Sequence, residues 1–232
     1  MAKLYFRYGA MGASKTANAL MVAYNYEEKG LSPLIMKPSI ENRDGAKIIK
    51  SRIGISRPCE IVEDVIRHDK SKTAEQNWKE TAKYVSQFDC IVVDKCQFMS
   101  PEDVRVLWRI VNELSIPVIC YGLSTDFRQE LFPASAELMK LADKVEEIKT
   151  ICWCGDGARC NARLDREGRV VKTGEQIQMG GTEPGLPSYT SLCTKHYIEG
   201  DIGPRLRQRF REALKKNDFQ NMESNEQEEE RE

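Results

Sequence analysis

Gly9-Ala10-Met11-Gly12-Ala13-Ser14-Lys15-Thr16 follows the apolar stretch Leu4-Tyr5-Phe6 and opens a helical pattern, which is where a phosphate-binding loop must sit. In the pattern G-x-x-x-x-G-K-[ST], backbone N–H groups and the positive end of the following helix hold phosphates. The lysine reaches the β- and γ-phosphates, and the hydroxyl holds Mg²⁺. Gly9, Lys15 and Thr16 fit that pattern, whereas Ser14 stands where it has glycine. Glycine there supplies positive φ and lets a phosphate come close to the backbone, so the Cβ of Ser14 is expected to disturb the anion nest. A second element is Cys90-Ile91-Val92-Val93-Asp94, an unbroken apolar run closed by a carboxylate. It reads as a buried parallel strand whose Asp94 faces the nucleotide and holds Mg²⁺ directly or through water.

Cys152, Cys154, Cys193 and His196 form a second set of chemically capable residues. Cys193-x-x-His196 is a tetrahedral half-site, because neighbouring ligands on a turn can both face one Zn²⁺. Cys152-x-Cys154 is tighter than the usual two-residue spacing. Alternation along an extended segment still points both side chains the same way, and Cys160 is an alternative to one of them. A closed Cys₃His set is structural and not catalytic, since no coordination position stays open. Cys90 and Cys120 lie in apolar runs, where a free thiol behaves as a small hydrophobe.

The elements that must position these groups alternate along the chain. A strand is expected over 3–8, a helix from Lys15 to about Lys29, a strand near Leu34-Ile35-Met36, a helix over 73–88, the strand ending at Asp94, a helix over 101–115 and a strand over Pro117–Tyr121. Ser100 as N-cap, Pro101 at the first helical position and acids in the first turn are a strong helix start. This rhythm packs as a parallel sheet flanked by helices, with ligands at the carboxyl ends of the strands. The expected fold is therefore α/β, a P-loop parallel sheet with a small zinc-containing lobe. Its divisions are a nucleotide-binding part over 1–150, a zinc lobe with a lid over 151–200 and a charged C-terminal helix or disordered tail over 201–232. From Gln208 onward the sequence is strongly charged and is expected to be a solvated tail.

Composition narrows the function classes. The 232 residues, 41% hydrophobic, can build one domain or one domain plus a small lobe. A net charge of −1 provides no broad field for a polynucleotide or an acidic membrane, which disfavours a DNA-repair type of ATPase and points to a small nucleotide. There is no secretory segment and no apolar run of about 18 residues, so a cytoplasmic address is expected.

The series GAMGASKT, VVDKCQFM, CYGLSTDFRQELF, TICWCG, GGTEPGLPSY and CTKHY, in that order from Lys3 to Tyr197, resembles thymidine kinases of the compact type found in animal cytosol and many bacteria. The resemblance implies transfer of the γ-phosphate of Mg²⁺-ATP to the 5′-hydroxyl of thymidine or deoxyuridine, a structural zinc, a homotetramer and feedback by dTTP. It places the Gly9–Thr16 loop with Asp94 at the nucleotide, and Met11, Phe98, Leu123 and Phe127 around base and sugar. Gln97, next to Phe98, is a candidate for the nucleotide site, as a sugar-side or a structural hydrogen-bonding residue. Gly180, Gly181 and Tyr189 fall on a Gly- and Pro-rich lid over Gln178–Tyr189, which is longer than the family's Gly-Gly to Tyr spacing. Arg128 and Arg43 are candidate phosphate-side cations.

The largest departure from the family is Lys95. The resemblance puts a glutamate, the base for the 5′-hydroxyl proton, at the position that Lys95 occupies in Asp94-Lys95-Cys96-Gln97-Phe98. A lysine near its reference pKa of about 10.4 is a three-donor cation and cannot take that proton as it stands. Phosphoryl transfer depends mostly on positioning and charge neutralisation, so slow catalysis is expected, with a non-catalytic nucleotide sensor as the alternative.

Overall fold

The computed structural model describes residues 1–42, 44–177 and 188–215. Its contacts divide the chain into two compact units, one of Met1–Asp126 with Glu130–Lys149, the other of Phe127–Gln129 with the described residues from Thr150 onward.

The first unit is an α/β sandwich. Its strands are β1 (Leu4–Tyr8), β2 (Pro33–Lys37), β3 (Ile48–Lys50), β4 (Ser56–Pro58), β5 (Glu60–Ile61), β6 (Cys90–Asp94), β7 (Val118–Gly122) and β8 (Lys144–Glu147). Six of them form one sheet in the order β5-β2-β6-β7-β1-β8, parallel throughout, while β3 and β4 form a separate antiparallel pair. β6 and β7 are central and buried at every residue, which is why they read as unbroken apolar runs.

The helices are α1 (Lys15–Glu27), α2 (Val62–Val65), α3 (Ala74–Val85), α4 (Pro101–Leu114) and α5 (Pro133–Leu141). α4 buries Val104, Leu107, Ile110 and Val111, one stripe of a 3.6-residue period, against the sheet. Ser100 is the N-cap, as expected, and the structure adds a capping box: its Oγ accepts from the Asp103 N–H at 3.1 Å, while Asp103 Oδ2 accepts from the Ser100 N–H at 2.9 Å. α1 and α3 end two or three residues before the expected limits. Gly30, at φ 74, turns the chain away after α1.

The second unit holds β9 (Thr150–Ile151), β10 (Gly157–Ala158), β11 (Cys160–Leu164), β12 (Val170–Val171), β13 (Tyr189–Leu192) and α6 (Thr194–Glu199). β9 and β10 form a hairpin, and β11 sits between β12 and β13 in an antiparallel sheet. Its core is small: Cys152, Ala158, Cys160, Ala162, Leu164, Leu192, Cys193, Tyr197, Ile202 and Phe210.

Over 208–215 the helical alternative holds in place of a solvated tail; residues 216–232 lie outside the described residues. Residues 204–215 are helical, and Phe210 is 1% exposed with Leu206 packed on the same core. Two apolar residues four apart give a charged segment the one stripe it needs to dock.

Candidate functional site

The loop from Gly9 to Ser14 joins β1 to α1, so its N–H groups stand at the carboxyl edge of the sheet and at a helix N-terminus. Gly9 is required by the backbone around it. Its N–H donates to the Gly122 carbonyl at 3.3 Å, and a Cβ at Gly9 would lie 2.2 Å from the Ile148 oxygen. The loop closes tightly, with the Ala13 N–H on the Ala10 carbonyl at 3.2 Å and Gly12 at φ 80. Ser14 takes the left-handed conformation of the missing glycine, φ 54 and ψ 23. The nest is thus formed despite the Cβ, with strain on the order of 1 kcal/mol held at that residue.

Lys15 is 9% exposed and folds back on the loop, its Nζ donating to the carbonyls of Gly9 at 2.7 Å and Ala10 at 2.8 Å. Burial, and after it the neighbouring Lys95 cation, bring its pKa down to about 7, against the opposing pull of Asp94. Thr16 Oγ1 donates to Asp94 Oδ2 at 2.8 Å, which brings the two expected Mg²⁺ ligands together. Asp94 ends β6 and is 2% exposed.

Lys95 follows at φ 57 and ψ 31, the start of a short 3₁₀ turn over Cys96–Phe98. Gln97, 4% exposed, accepts from the Leu123 N–H at 3.1 Å and so fixes the exit of β7. Gly122 makes room for this packing, since a Cβ there would lie 2.5 Å from Cys96 Sγ and 2.7 Å from Gln97 Oε1. Leu123 is buried, its carbonyl accepting from Ser135 Oγ at 2.6 Å. Phe98 meets Phe132 edge to face at 5.9 Å. Met11 lies half-buried on the loop.

The remaining expected site residues belong to the second unit. Phe127 is 1% exposed, its carbonyl accepting from Tyr197 Oη at 2.6 Å and its ring lying 3.9 Å from the Arg163 guanidinium carbon. Arg128 is half-buried beside it. Tyr189 opens β13 opposite Arg163, so it starts a strand. Gly180, Gly181 and Arg43 lie outside the described residues, as does the lid segment 178–187.

The metal-ligand set converges. Cys152 and Cys154 sit at the tip of the β9–β10 hairpin, and Cys193 and His196 flank the first turn of α6. Their ligand atoms all lie within 4.8 Å of one another, with Cys193 Sγ 3.3 Å and Cys152 Sγ 3.5 Å from His196 Nδ1. Although burial works to raise it, the Cys152 thiol is held at about 7 by backbone N–H groups near Cys193 and Cys154 and by the His196 ring. That donor set suits thiolate and imidazole ligation of Zn²⁺. Cys160 is not in the group. It is buried on β11, opposite Leu192, and burial pushes its thiol up.

Two contributors have no counterpart among the expected residues. Trp153 stacks on His196 at 4.4 Å and donates to the Asp201 carbonyl at 3.0 Å, orienting the imidazole. An aromatic residue inside Cys-x-Cys was a readable signal for it. Arg52 acts electrostatically on Lys15. A lone arginine far from the loop in sequence gave no sign of that.

A family model described as thymidine kinase matches residues 2–197. The thymidine kinase of Shewanella oneidensis is 44% identical over 199 residues, 86% of this chain and 98% of that protein. The thymidine kinase of Yersinia pestis is 43% identical over 199 residues, covering 86% and 96%. The thymidine kinase of Escherichia coli K12 is 41% identical over 205 residues, covering 86% and 92%. Among solved structures, the Pif1 helicase of Candida albicans aligns at TM-score 0.43 and 10% identity over 65% of this chain and 36% of its own, too partial a likeness to bear on the chemistry.

Proposed function

The chain belongs to the thymidine kinase family, and from that membership we propose that it transfers the γ-phosphoryl group of Mg²⁺-ATP to the 5′-hydroxyl of thymidine or deoxyuridine, slowly. The observation that carries this reading is the Thr16–Asp94 hydrogen bond at 2.8 Å beside a lysine-bearing loop at a helix N-terminus. Lys15 would exchange its two loop carbonyls for the β- and γ-phosphates. Thr16 and Asp94 would hold Mg²⁺, which when bound would neutralise charge developing on the phosphates. Met11, Phe98 and Leu123 are assigned to the nucleoside and the loop residues Gly9–Ser14 to the phosphates, with Gln97 keeping the exit of β7 in place. The Cys₃His cluster would carry a structural Zn²⁺, since a core as small as that of the second unit is commonly closed by a metal. Feedback by dTTP and a homotetramer belong to the same proposal. No helix among the described residues is long and apolar enough to cross a membrane.

Position 95 sets the rate. With no carboxylate there, the 5′-hydroxyl proton lacks its acceptor, a loss of about 10²–10⁴-fold. The test is thymidine phosphorylation by this chain beside Lys95→Glu, Ser14→Gly and the double substitution. A rise of that order in Lys95→Glu is expected. An unchanged rate would show that the proton is taken elsewhere. A silent chain whose activity returns only in the double substitution would make nucleotide binding its role.

A further inference from the structure

Lys95 does more than remove a base. Among the described residues its side chain has no hydrogen-bond or ion-pair partner, although it follows directly on Asp94. Its left-handed backbone is one that L-residues keep only under constraint, which fixes where the side chain leaves the strand end. Arg52, exposed, is likewise without such a partner among the described residues, and both cations bear on Lys15. The carboxylate at hand, Asp94, is already engaged by Thr16. Once Lys15 is matched to the donor's phosphates, the Lys95 charge remains at the end of the strand that carries Asp94. A nucleoside brings nothing to neutralise it; a phosphate monoester brings between one and two negative charges at neutral pH.

Resting on the family reading above, we propose that this site has a further activity, in which thymidine 5′-monophosphate is the acceptor and is used in preference to thymidine. An oxygen of the acceptor's phosphate forms a bond to the γ-phosphorus while the bond from γ-phosphorus to the bridging oxygen breaks. ADP leaves with that electron pair, and the acceptor becomes a nucleoside diphosphate. The attacking oxygen is already ionised, because the second pKa of a phosphate monoester is about 6. No proton has to be removed, so the missing base is no obstacle. The Lys95 ammonium offsets the repulsion between the acceptor's dianion and the γ-phosphate, the part cations play in phosphoryl transfer generally. Lys95 is thus a specificity-determining residue.

The experiment uses the full zinc-bound chain with Mg²⁺-ATP and either thymidine or dTMP, the products being separated by anion exchange. The expected result is dTDP formed from dTMP faster than dTMP from thymidine, with both products absent in Lys15→Ala. Lys95→Gln should lower dTMP use by about 10- to 100-fold, the worth of a hydrogen bond to a charged group. Lys95→Arg should keep the preference for dTMP, and Lys95→Glu should reverse it toward thymidine. Calorimetric binding of ATP to each variant confirms that the loop is intact. Phosphorylation of thymidine without dTDP would overturn this inference and leave the family reading standing. Transfer to neither acceptor by a chain that binds ATP would overturn both. Preference unmoved by Lys95→Gln would overturn the role of Lys95.

Discussion

The hydroxyl of Thr16, in the first turn of α1, donates to Asp94 at the end of β6 across 2.8 Å. Residues far apart in sequence are thereby tied at one edge of the sheet. Asp94 is almost fully buried, and a buried carboxylate that loses a donor is left with an unmet acceptor. Thr16→Val is expected to lower unfolding free energy by about 1.5–3 kcal/mol, whereas Thr16→Ser keeps it. Urea denaturation checks this; equal midpoints for Thr16→Val and the unaltered chain would show that the bond carries no stability.

Gly9→Ala should damage the loop without touching any catalytic atom. The added Cβ meets the Ile148 oxygen, a main-chain atom that cannot swing aside. A loss of about 1–3 kcal/mol and weakened ATP binding are expected, measured by thermal unfolding and calorimetry. Normal ATP affinity in this variant would mean that the loop can shift away from Ile148.

Ser14→Gly has the opposite sign. Ser14 holds a positive φ, and glycine relieves a left-handed strain of about 1–2 kcal/mol while losing about 0.5–1 kcal/mol to the flexibility of the unfolded chain. A net gain of about 0.5 kcal/mol is expected by denaturant titration, together with tighter ATP binding. Destabilisation by Ser14→Gly would show that the serine side chain supports the loop.

Zinc content should discriminate between the cysteines of the candidate metal site. One zinc per chain, read by atomic emission, is expected for the unaltered protein and for Cys160→Ser, because Cys160 stands outside the ligand group. Cys193→Ser should lose the metal, and chelation should remove the cooperative unfolding of the second unit, since metal binding and folding are linked. Retained zinc in Cys193→Ser would remove that residue from the set.

Phe210→Ala tests the helical segment at 204–215. A buried phenylalanine truncated to alanine costs about 3–5 kcal/mol, and the loss should fall on the second unit. Hydrogen exchange across residues 150–215 would locate it; a change confined to the helix itself would mean that Phe210 is not part of that core.

Much of the first unit was legible because its signals are local. The unbroken apolar runs of β6 and β7 and the cap at Ser100 each report on a few consecutive residues, and the structure places them accordingly. The Thr16–Asp94 approach was readable because both residues close motifs that are expected to meet at one nucleotide. What could not be read depends on neighbours that the sequence does not announce. The pairing of β1 with β8, which sets the Ile148 carbonyl against Gly9, is a tertiary contact with no local mark. The two-residue strands β9 and β10 are too short for alternation to show, so Cys152-x-Cys154 gave ligands but not the hairpin that presents them. Phe210 was lost in a run of charge, because a single aromatic gives no period until its partner surface is known.

The frame of the phosphate loop is main-chain. Gly9 bonds to Gly122 through backbone atoms, Ala13 to Ala10 likewise, and Lys15 rests on two carbonyls. Bonds of that kind survive changes of side chain. A change of charge at position 95 or of residue at position 14 therefore leaves the main-chain frame of the loop in place.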